Sequence, residues 1–352
     1  MGNRGISFCI FGTMGRIAWI DNCKALAISI VVLGHLESIY LVNEVLFSFA
    51  MPAFFFLSGY TFKRSASAPF IEFIRKKFRS LVIPYFGFSA ILFAFWFLVR
   101  RNFGLTGQQS GITVPDVLLQ IVRGVNSESF VTPLWFLTCL FVTELFFWGL
   151  QKFIKKQPAI WAIILVLFGF GIYYWFYMDI QHFSHAFWNV DQACFYLYFL
   201  SIGFAFSSRN LAERLFCNLK RNLATALVLS AVFTVAFIAR ESTTTTWQIL
   251  LLQAVMCNAS LFAFITIGNA IPQNKILNFI GQNTLTILAL HIIVQSLLRG
   301  TLLKAVHLNP ELLQNSLGLS LLLTLVTLAA LVPAILLINR FIPWLAGKRK
   351  VR

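Results

Sequence analysis

Long apolar stretches, each about the 20 residues that a helix needs to cross a bilayer, recur along this chain between short charged connections. They are read at 24–40, 44–62, 80–99, 132–154, 159–178, 190–206, 222–239, 247–271, 284–298 and 317–342. A water-filled surface has no use for so many. Hydrophobic residues make up 59% of the chain and charged ones 11%, against about 45–50% and about 25% in a soluble domain. With a mean hydropathy of +0.79, the sequence reads as an all-α, polytopic membrane helical bundle of about ten transmembrane helices.

The formal net charge of +16 would suggest a nucleic-acid partner for a soluble protein. Here its distribution has a different explanation. With the N-terminus cytoplasmic, that side receives most of the 28 basic residues, including Lys24, Arg75, Lys76, Lys77, Arg79, Arg221, Arg340 and Lys348. The other side receives Arg100, Arg101, Arg123, Arg240, Arg299 and Lys304, together with most of the twelve acids. This asymmetry predicts both termini in the cytoplasm, with lipid and not nucleic acid as the surrounding partner.

The segments divide into a cytoplasmic extension (1–18), a membrane unit (19–345) and a basic cytoplasmic tail (346–352). The sequence after Arg4 lacks a small-residue cleavage site, so no cleaved signal peptide is expected. Met14 is a candidate translation start, because what precedes it adds nothing to the first span. Six cysteines are scattered without C-x-x-C spacing or a ligand-spaced histidine. Neither a disulfide framework nor a metal site is expected.

Ionisable side chains within spans are costly and commonly mark function. His35, Glu144 and His291 fall at similar depths, near the midplane, on different helices. Each fits either a packing role or a functional one. Lys24 and His35 are eleven residues apart, only some 20° beyond three helical turns, and so share a face with the cation nearer the cytoplasm. That arrangement suits an anionic ligand entering head-first. Arg75, Lys76, Lys77 and Arg79 precede Pro84-Tyr85; the cluster fits ordinary positive flanking or, beside Lys24, a phosphate-binding collar.

These residues carry a resemblance to the acyltransferase family 3 membrane proteins. Trp19-Ile-Asp-Asn-Cys-Lys24 with Val31-Val-Leu-Gly-His35 resembles the family's opening signature, a basic residue and a histidine separated by ten positions. Phe49-Ala-Met-Pro-Ala-Phe-Phe-Phe-Leu-Ser-Gly-Tyr60, the Lys76 to Arg79 loop, Pro133-Leu-Trp-Phe-Leu137, and Gly281-Gln-Asn-Thr-Leu285 with His291 are similar to later landmarks. The sequence departs from the pattern at Ala50, where many members have histidine, and at Leu288, where tyrosine is frequent. Lys24 and Lys76 replace arginines, which keeps charge but loses bidentate geometry.

The resemblance implies acyl transfer, most often of acetyl from acetyl-CoA, to a sugar hydroxyl of a polysaccharide or lipid-linked glycan at the bacterial cytoplasmic membrane. Acetyl-CoA would be a co-substrate, with no resident cofactor. On this reading His35 is the general base and Glu144 its orienting partner. Lys24, Lys76 and Arg79 hold the phosphates of CoA, and Asn283 and His291 orient either substrate. Gln108, Gln109, Asn126, Ser127, His182, His185, Trp188 and Asp191 lie in outer connections that suit a carbohydrate, and equally an ordinary wet loop. The rival reading is a proton-coupled secondary transporter, with His35, Glu144 and His291 as a midplane relay.

Overall fold

A computed structural model describes residues 17–36, 40–62, 68–101, 113–124, 133–177, 186–215, 218–304, 306–307, 309 and 316–348. The expected extension and Met14 lie almost wholly outside the described residues, as does the tail beyond Lys348. Among the described residues the secondary structure is helical. The helices of eight residues or more are α1 Ala18–Gly34, α2 Tyr40–Thr61, α3 Phe70–Arg100, α4 Val114–Arg123, α5 Trp135–Phe153 and α6 Gln157–Tyr177. They continue as α7 Val190–Ser208, α8 Leu219–Ser242, α9 Thr246–Ala270, α10 Lys275–Gln282, α11 Thr284–Lys304 and α12 Leu317–Phe341.

Eight of these, α3, α5 to α9, α11 and α12, are long and apolar enough to cross a membrane. The chain is therefore a polytopic helical bundle, and α1 and α2 occupy the places of the first two expected spans. Leu227, Val228 and Val235 on α8 and Leu165 and Val166 on α6 are exposed. Rows of exposed aliphatic side chains on long helices are the mark of a surface solvated by lipid.

The first span is displaced from its expected bounds. It begins at Ala18 and ends at Gly34, whereas hydropathy placed it at 24–40. The polar residues Asp21 and Asn22, outside the expected span, lie within the helix. Asn22 is buried and its amide donates to the carbonyl oxygens of Gly268 (3.4 Å) and Ile271 (2.9 Å) at the end of α9. The Nδ2 group is thus satisfied by another helix's terminal carbonyls, while Oδ1 is buried without a partner.

Lipid tails are as apolar as the side chains, so helices in a bilayer associate through close packing instead of hydrophobic exclusion. Paired glycines achieve it here. A methyl group at Gly59 of α2 would overlap the Leu200 carbonyl, and one at Gly203 of α7 would overlap that of Phe56. The two backbones therefore touch. Aromatic rings fill the space beside this crossing: Phe55 stacks on Tyr196 at 4.1 Å, and Phe56, Phe62, Phe147 and Phe199 are fully buried. Gly281 of α10 meets the Asp21 carbonyl of α1 in the same way.

α3 contains π-helical turns at Phe78–Val82 and Trp96–Arg100. Such turns re-aim side chains within an otherwise regular helix and recur at functional sites. The Tyr85 hydroxyl donates to the Ile121 carbonyl at 2.6 Å and ties α3 to the short helix α4.

Candidate functional site

His35 is the C-cap residue of α1 and His291 lies in the first half of α11. Their rings meet edge to face, with centroids 4.8 Å apart and planes at 75°. His291 is fully buried, whereas His35 is partly accessible. Residue counting put both near the middle of their spans; the rings do meet, but because α1 begins at Ala18, His35 caps its far end and does not lie within it.

Each ring turns Nδ1 toward a backbone carbonyl one helical turn back: Val31 for His35 at 2.7 Å and Ile287 for His291 at 3.0 Å. A carbonyl oxygen only accepts, so Nδ1 carries the hydrogen and Nε2 keeps its lone pair in the neutral ring. Nε2 of His291 is buried without a hydrogen-bond partner. The pair is braced by Gln295, whose amide donates to the Val32 carbonyl at 2.7 Å. Gln295 stands four residues after His291 and hence on the same face, a spacing that could have singled it out in the sequence.

Glu144 does not take the role expected of it as the orienting partner of His35. Its Oε1 accepts from Ser58 Oγ on α2 and from Lys77 Nζ on α3, both at 2.6 Å. Oε2 is buried without a partner. The reason is azimuth. Depth along a span can be counted in residues, but α1 packs against α2, α9, α10, α11 and α12, whereas α5 packs against the π-turn of α3 and against α7. Lys77, which the charge inventory left among the flanking cations, is therefore part of the interior. Its Nζ also sits 5.5 Å from the Phe62 ring centroid. Consecutive helical residues point about 100° apart, so of Lys76 and Lys77 one turns outward and the other inward.

Lys76 and Arg79 are exposed, and Lys24 is half-buried on α1. Asn283, between α10 and α11, is engaged with protein groups. Its Nδ2 donates to the Phe279 carbonyl (2.7 Å), and its Oδ1 accepts from Asn339 Nδ2 (2.8 Å) and from Lys348 Nζ (2.7 Å).

Of the outer-loop residues, Gln108, Gln109, Asn126, Ser127, His182 and His185 lie outside the described residues. Trp188 donates from Nε1 to the Val122 carbonyl at 3.1 Å, and Tyr174 donates to Asp191 at 3.5 Å. Beside them Asn189, which the sequence reading passed over, is buried and donates to Gly124 O (2.7 Å) and Thr138 Oγ1 (2.8 Å). It pins the starts of α5 and α7 to the end of α4. Among the described residues no group of three histidine, cysteine or carboxylate side chains could hold a metal ion.

The arrangement offers two imidazoles in contact, each with Nδ1 against a backbone carbonyl, with Lys24 half-buried on the helix that His35 caps. Such a centre can take and return a proton. A protein-family model described as an acyltransferase domain matches residues 17–338, which include both histidines, Lys24 and the basic segment of α3. No curated protein and no solved structure matches the chain.

Proposed function

We propose a specific reaction for a chain that belongs to the acyltransferase family 3 of membrane proteins: transfer of acetyl from acetyl-CoA to a sugar hydroxyl of a cell-surface polysaccharide or lipid-linked glycan. The setting is the bacterial cytoplasmic membrane, with both termini in the cytoplasm. The observation that carries the reading is the contact between His35 and His291, each with Nδ1 against a backbone carbonyl, which leaves Nε2 as the ring nitrogen that can take a proton.

Nε2 of His35 takes the proton of the acceptor hydroxyl as its oxygen attacks the thioester carbonyl. A C–O bond forms, the C–S bond breaks, and the proton passes from the imidazole to the departing thiolate. His291, fully buried, orients the acceptor or the acyl group. Lys24, with Lys76 and Arg79, attracts the phosphates of CoA at the end where the basic residues gather. A proton-relay transporter would need Glu144 beside the histidines, and its engagement with Ser58 and Lys77 counts against that reading.

The test uses purified protein in liposomes supplied with acetyl-CoA and candidate glycans, with thiol release as the readout. His35→Ala should reduce the rate by at least ~100-fold, the ordinary contribution of a positioned general base. Turnover of His35→Ala at the wild-type rate would refute the base assignment. Proton-coupled glycan uptake without thiol release would refute the transferase reaction itself.

A further inference from the structure

Five residues beyond the region matched to the family, the chain folds back on itself. After α12, residues 343–347 form a turn in which the amides of Leu345, Ala346 and Gly347 donate to the carbonyls of Ile342, Pro343 and Trp344. Lys348 N closes the turn on Pro343 O at 2.9 Å. Gly347 has φ of +68°, a left-handed conformation that favours glycine and lets the chain reverse there.

Two contacts seat this turn on α3. Leu345, 3% exposed, fills the space beside Gly87, where a methyl group would meet it. Gly347 lies so close to the Ser80 carbonyl that an added Cβ would stand 3.0 Å from that oxygen. Ser80 and Gly87 are seven residues apart and so share one face of the helix. Ser80 lies inside the π-turn and directly follows Arg79.

On its other side the turn is anchored by Lys348, whose ammonium donates to Asn283 Oδ1 at 2.7 Å and to Asn339 Oδ1 at 2.8 Å. Asn283 is two residues from Gly281, whose contact with the Asp21 carbonyl lies about one helical turn from Lys24. A continuous chain of contacts thus runs from the segment bearing Arg79, through the C-terminal turn, to the start of α1. From the sequence, only residues 346–352 are expected to form a basic tail, with 343–345 belonging to the membrane unit.

We infer that Lys348 is a positioning residue of the basic mouth: by fastening the C-terminal turn to Asn283 and Asn339, it sets Arg79 relative to α1 and so tunes recognition of the donor's phosphates. The inference rests on acetyl-CoA being the donor.

The full chain in liposomes tests it with two thioesters, acetyl-CoA and S-acetyl-N-acetylcysteamine, which lacks the nucleotide phosphates. Lys348→Gln should raise the KM for acetyl-CoA roughly ten-fold, about the effect of losing one charge-assisted hydrogen bond, and that of the phosphate-free donor by less than about two-fold. Lys348→Arg should restore most of the difference. Hydrogen exchange at Leu345 and Gly347 should quicken in Lys348→Gln, a readout that needs no donor. An unchanged KM, an equal rise for both donors, or unchanged exchange would overturn the inference while leaving the donor assignment standing. Wild-type protein that turns over neither thioester would instead overturn the donor assignment, and this inference with it.

Discussion

Replacing Lys77 by methionine keeps the length and apolar stem of the side chain but removes the ammonium, and the structure sets the consequence. Lys77 Nζ lies 2.6 Å from Glu144 Oε1, with side-chain exposures of 15% and 1%. Without it, the remaining donor to Glu144 is Ser58, again on Oε1, while Oε2 already lacks one. Removing one partner of a buried ion pair costs about 3–5 kcal/mol, since the other charge stays behind in an apolar setting. The partial exposure of Lys77 moves the expected loss to the lower end, about 3 kcal/mol. Removing both charges in Lys77→Met/Glu144→Leu should recover most of it, because no desolvated ion is left. The assay is equilibrium unfolding in mixed micelles titrated with SDS, read by tryptophan fluorescence and arranged as a double-mutant cycle. A loss below about 1 kcal/mol in Lys77→Met, or a double variant no more stable than the single, would refute the reasoning.

Gly203→Ala should be among the most damaging small substitutions, because the added methyl meets the Phe56 backbone, which cannot move aside as a side chain could. A loss of at least about 2 kcal/mol in the same unfolding assay is expected. Gly149→Ala, with nothing within 4 Å, should be neutral or stabilising; equal effects at the two sites would undo the close-crossing argument. At the start of α4, Thr113 and Asp116 form a reciprocal capping box. Hydrogen bonds from the Thr113 hydroxyl and amide hold the exposed Asp116 carboxyl below its ordinary value. A lowered folded pKa means the cap's contribution is present above the unfolded carboxylate value, about 3.9, and is lost as pH falls through the lower folded value. Amide exchange at Val117 should therefore quicken in that acidic window and not near neutrality, and Asp116→Asn should show quickened exchange already at neutral pH.

The fold class was legible from hydropathy because bilayer thickness imposes span length on each segment separately, and local composition is enough to meet it. The ends were less legible. Asn22 reads as a boundary residue until the carbonyls of Gly268 and Ile271 are beside it, and those lie more than two hundred residues along the chain. The histidine pair was half legible: counting residues placed both near the middle of their helices, whereas the structure sets His35 at the C-cap of α1 with its ring against that of His291. The same counting put Glu144 with them, and there it failed.

By itself, the sequence determined that the chain is a helical membrane protein and roughly where its spans lie. These are properties of single segments, set by the solvent each must cross. Only the tertiary structure decided which residues at a given depth share a neighbour. It sent Glu144 to Lys77, tied Gln295 to the Val32 carbonyl of α1 and seated Lys348 on Asn283. The physical reason is that helix packing in lipid is governed by close steric fit. Where Gly59, Gly203 and Gly281 allow backbones to touch, the rotation of each helix is settled, and with it the partner of every polar side chain the helix carries.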